Sequence, residues 1–106
     1  MGANKMNAHN LPLDMFDNYG FIKETELRLS IYSENDQTIR VPEVKFSRSA
    51  KSNLPTLNLT IGSFQKGYRI SICSTPSDEK LNYLTNIIPF NKLKEEVANY
   101  MAKIEL

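Results

Sequence analysis

Tryptophan is absent from this 106-residue chain, and cysteine, histidine and glycine are scarce, with Cys73, His9 and four glycines in all. A lone cysteine forms no internal disulfide, so the chain reads as a resident of a reducing compartment, with the cytoplasm as the default. One histidine and one cysteine make no zinc set. As a nucleophile, Cys73 would need a base that only His9 supplies as histidine, so a structural thiol is expected. Acid–base pairs and metal-ligand clusters are missing too, which leaves no grounds for an enzyme, a metal or a cofactor. Gly62 to Gly67 holds a lysine but lacks the spacing of a phosphate loop and precedes a strand. No apolar run approaches the roughly 20 residues of a membrane span, and the N-terminus lacks the apolar core of a signal peptide.

What is present describes one ordinary domain. The charged fraction of 24% and apolar fraction of 41% are near globular averages, and the length suffices for a single core. Residues 1–13, with Asn4, Asn7 and Asn10 between small residues, show no period and read as a flexible leader; residues 14–106 read as a single β-rich domain. The net charge is +1, yet Thr38 to Cys73 carries six basic residues against one acid, while both flanks are acidic.

Hydrophobic period organises the rest. Asp14 to Gly20 would put Met15, Phe16 and Tyr19 on one side of a helical turn. In Glu24 to Tyr32, Leu27, Leu29 and Ile31 alternate with polar residues, so they are expected to face the core. Ile39 and Val41 continue inward after a turn at Ser33 to Gln37; past Pro42, Val44 and Phe46 take over with the opposite parity, which predicts an edge strand or a bulge near Glu43. Leu57, Leu59 and Ile61 mark a third strand and Tyr68, Ile70 and Ile72 a fourth, joined by a hairpin in which Gly67 is available for a positive φ. Tyr83 to Ile88 allows a short fifth. Finally Leu93, Val97, Tyr100, Met101 and Ile104 recur at helical spacing, with Asn91 placed to cap. The expected fold is α+β: a four- or five-stranded antiparallel sheet with one C-terminal amphipathic helix packed on one face.

Alternation then assigns Arg28, Ser30, Tyr32, Arg40, Lys45, Ser47, Asn58, Thr60, Arg69 and Ser71 to the uncovered face, and the loop from Arg48 to Lys51 and the turn holding Lys66 would extend it. Arginine and lysine hold phosphates, hydroxyls and amides bond phosphate or sugar, and Tyr32 would stack on an unpaired base. The competing reading is that antiparallel sheets routinely leave one polar face in water.

The second half carries a resemblance. Tyr68, Arg69 and Ile70 begin a strand, Ser74 to Lys80 (STPSDEK) forms a loop, Ile87 and Ile88 precede the helix, and Leu93 to Ile104 completes it. This layout resembles the single-stranded-nucleic-acid binders typified by the p15-type transcriptional coactivator (positive cofactor four), with Whirly and purine-element-binding proteins sharing the arrangement. The resemblance implies a homodimer that binds single strands through curved sheets, with Lys45, Lys66 and Arg69 on phosphates and Tyr32 or Tyr68 stacking. The expected function is therefore non-catalytic binding of single-stranded DNA or RNA. The alternative is a small phage or mobile-element protein that docks on a host protein through an edge strand or the same polar face.

Overall fold

The computed structural model describes residues 13–24, 28–34, 36–51 and 53–105, with backbone alone at 13, 28, 30, 32 and 34. A short helix α1 (Leu13–Asp17) leads into strands β1 (Ile22–Lys23), β2 (Arg28–Glu34), β3 (Gln37–Arg48), β4 (Thr56–Phe64) and β5 (Gly67–Thr75). Two short strands, β6 (Tyr83–Leu84) and β7 (Ile88–Pro89), precede helix α2 (Leu93–Ile104). All described strand pairs are antiparallel. The sheet runs β1-β3-β4-β5-β6, with β2 beside β3 and β7 beside β5. The α+β class and the C-terminal helix are thus as the periodicity predicts. The leader falls, up to residue 12, outside the described residues, as does the expected inward Leu27.

The core forms between one sheet face and the two helices. Register places Val44 opposite Ile61 and Phe46 opposite Leu59, with Ile61 opposite Ile70 and Leu59 opposite Ile72. Directly opposed residues share a face, so these six side chains make one apolar surface, and all are buried. Helix α2 covers it with Leu93, Val97, Tyr100 and Met101; each such burial contributes on the order of 1.5–3 kcal/mol. Glu95 and Glu96 in its first turn and Lys103 in its last suit the helix dipole. Asn91 does not cap α2: it lies inside the 3₁₀ turn Phe90–Lys92, and Lys92 takes the capping position without a side-chain bond. At the other end, Phe16 of α1 is fully buried and meets Phe46 at 5.0 Å between ring centres. Tyr100 donates from its hydroxyl to the Leu81 carbonyl at 2.6 Å, and its ring stacks on Tyr83 at 4.8 Å.

Glycine 67 serves a different purpose from the one its hairpin position suggests. Among the described glycines positive φ occurs at Gly20 alone; at Gly67 an added Cβ would overlap the Ile88 carbonyl, so the residue is what lets β7 lie against β5. The left-handed turn residue is instead Asp36, φ 63°, between β2 and β3.

Strand β3 departs most from expectation. Pairing advances one residue at a time through Pro42 and Glu43, so no bulge interrupts the described ladder. The apolar parity flips because β3 serves two surfaces. Val44 and Phe46 face the helices, whereas Val41, of opposite parity, lies against Phe64 and Gly62 on the other side of the sheet. Among the described residues, β3 from Gln37 to Pro42 pairs with β2 only. Pro42 has no N–H to give a ladder, which suits a strand parting from its neighbour. Beyond it, β2 and β3 form a two-stranded ribbon. Here the inward assignment of Leu29 and Ile31 is corrected: they are 57% and 71% exposed, since the ribbon runs past the surface that the helices cover.

Candidate nucleic-acid interface

The face opposite α2 is built from cross-strand rows. Ser47, Asn58 and Cys73 make one; Lys45, Thr60 and Ser71 the next; Glu43, Gly62 and Arg69 the third. Exposed Ile22 and Leu84 extend the first two rows at the sheet edges. Asn58 donates from Nδ2 to Thr75 Oγ1 at 2.9 Å, and Ser47 donates from Oγ to Glu24 Oε2 at 2.6 Å. Glu24 therefore brings an acid to this face, the side that its parity in the Glu24 to Tyr32 alternation gives it, and Glu43 adds a buried one. Cys73 is an exposed thiol on the same face, the side opposite inward Ile70 and Ile72.

Of the nine residues nominated from sequence, Lys45 and Arg69 stand on this face. The Arg69 guanidinium lies over the Phe64 ring at 5.0 Å, a cation–π contact that braces it. Lys66 is exposed in the β4–β5 turn, close to the ribbon. Between that turn and the ribbon runs a cleft of about 450 Å³, lined among others by Ile39, Arg40, Phe64, Gln65 and Lys66 and by no described carboxylate. Lys51 is exposed in the β3–β4 loop, where its backbone pairs with Leu54. Arg28 and Tyr32 pair by backbone with Glu43 and Ile39, which puts them by register on the open side; their side chains lie outside those described.

Three assignments change. Arg48 is not a loop cation: it ends β3 on the helix-facing side, 4% exposed. Its guanidinium donates to the Tyr19 carbonyl at 3.4 Å and pairs with Glu105 at 3.5 Å, tying the turn after α1 and the residue after α2 to the sheet. Tyr68 is buried at 6% exposure, edge-on to Phe90, and burial pushes its hydroxyl pKa upward, so it presents no face for stacking. Arg40 pairs with Ile31 and so occupies the ribbon face that carries Leu29 and Ile31, not the open face. Its place in the cleft nevertheless brings it near Lys66.

Sequence reasoning missed the small cluster of Val41, Gly62 and Phe64 under Arg69. Its signal was present in the parity switch at Pro42 and in a glycine at a polar-face position of an alternating strand: a Cβ at residue 62 would come within 3.1 Å of Val41 and 3.3 Å of Phe64. No family model, curated protein or solved structure matches the chain.

Proposed function

We propose that the protein binds single-stranded DNA or RNA without catalysis, as a homodimer in the cytoplasm. The observation that supports this reading is the pairing of Lys45 with Thr60 and Ser71 in one row and the bracing of Arg69 in the next, on a sheet face that neither described helix covers. Cations set beside hydroxyls and an amide suit a sugar–phosphate backbone, whose contacts carry position rather than sequence. The cleft holding Arg40 and Lys66 would continue the path toward the ribbon. With Tyr68 buried and Arg69 over Phe64, base stacking falls to Tyr32, so affinity should rest mainly on charge.

Fluorescence anisotropy of labelled single-stranded and duplex oligonucleotides at about 50 mM and 200 mM salt tests this, because released counterions make such affinity fall steeply with salt. Replacing Lys45, Lys66 and Arg69 by Ala should weaken single-strand binding and flatten its salt dependence by about one unit of slope for each cation removed from a phosphate. Absence of binding at low salt rejects the reading. The second reading, a phage or mobile-element protein that modulates a host protein, is favoured by the exposed Leu29 and Ile31 on β2. It predicts salt-insensitive association with a protein and none with nucleic acid.

A further inference from the structure

We propose that two copies of the chain join edge to edge along β2, antiparallel and centred on Ile31. The inference supplies a surface for the homodimer named above and does not depend on nucleic-acid binding.

Among the described residues β2 pairs with β3 alone, so alternate N–H and C=O groups along its seven residues point away from the sheet. Edge strands are usually protected by lysine, proline or a bulge. β2 (RLSIYSE) has no lysine or proline and pairs in unbroken register. Its two described apolar side chains, Leu29 and Ile31, share the ribbon face with Arg40 and Pro42 and are more than half exposed. An isolated two-stranded ribbon is marginal in water, and exposed apolar residues on one edge strand mark a contact surface.

The order of residues in β2 chooses a second copy as the occupant. A two-fold axis at Ile31 places Ile31 against Ile31 of the partner subunit and Leu29 against Ser33 of the partner subunit. The same axis sets Arg28 opposite Glu34 of the partner subunit, at both ends at once. Opposite charges at symmetric positions about an apolar centre are self-complementary in this one register, and a C2 interface requires that self-complementarity. A slip by one residue would turn the apolar face of one copy away from that of the other. A single strand pair is a small contact, so the dimer should form at micromolar rather than nanomolar concentration.

Light scattering on the full chain from about 1 µM to about 1 mM should show the mass rising toward twice 12.1 kDa. Ile31→Lys sets two like charges face to face and should hold the protein at monomer mass; at 71% exposure the side chain gives up no packing, and circular dichroism should be unchanged. Register is read by cross-linking in a Cys73→Ser background. Ile31→Cys should form a disulfide dimer, whereas Leu29→Cys and Ser33→Cys should cross-link only when mixed. Monomer mass at every concentration, or equal self-cross-linking at positions 29, 31 and 33, overturns the proposal. Single-strand binding by a strictly monomeric protein would remove the interface and keep the binding function; a dimer indifferent to nucleic acid would do the reverse.

Discussion

The two ends of β3 have opposite surroundings. From Val44 to Arg48 the strand pairs with β4, partly also with β1, and buries Val44, Phe46 and Arg48 on the helix side. From Gln37 to Pro42 it pairs, among the described residues, with β2 only, and Arg40 lies exposed beside Ile31. Both ends alternate cleanly. Alternation therefore reports that a strand has two unlike faces, and tertiary coverage decides whether the apolar one is core or surface. One strand thus supplies both the anchor of the fold and an arm that projects from it.

The contrast is sharpest in deletion of buried and exposed isoleucine. Ile61→Ala, at a fully buried site, should cost about 2–5 kcal/mol in urea unfolding, and a loss under about 1 kcal/mol would show that the covered half is loosely packed. Arg48→Ala should follow at about 1–3 kcal/mol, since it leaves the Tyr19 carbonyl without its donor. Glu105→Gln should cost less, because that carboxylate is 41% exposed. Gly62→Ala should destabilise by about 1 kcal/mol, the crowding of Val41 and Phe64 outweighing the entropy gained in the chain. Val41→Ala in the same chain should recover part of that loss, and strict additivity would deny the contact.

A pH scan probes the seam between α2 and β6. Burial, and then the hydrogen bond to Glu96, push the Tyr83 hydroxyl from 10.0 up to about 12. The folded chain thus favours the protonated phenol. Its contribution is complete below pH 10 and lost as the pH rises toward 12, because the unfolded chain ionises first. Tyr83→Phe should lessen the fall in stability across that window; an unchanged fall would assign it to Tyr100 and Tyr68, whose hydroxyls are raised in the same direction. The smallest effect belongs to the arm: Ile31→Ala should change monomer stability, measured at low protein concentration, by no more than about 0.5 kcal/mol. A core-sized loss there would mean that the ribbon packs on the body after all.

By itself the sequence determined the order of the four longer strands and the C-terminal helix, the β4–β5 hairpin and the stripe Leu93, Val97, Tyr100 and Met101. These follow from spacing along the chain, where the period of a helix or strand sets which side chains share a face. It also carried the parity switch at Pro42, although reading it as two packing surfaces required knowing where Phe64 lies. Only the tertiary structure decided that Leu29 and Ile31 are exposed, that Arg48 is an internal tie to Tyr19 and Glu105, and that Gly67 makes room for Ile88. Each depends on a partner distant in sequence, and a local period holds no information about which distant segment covers which face.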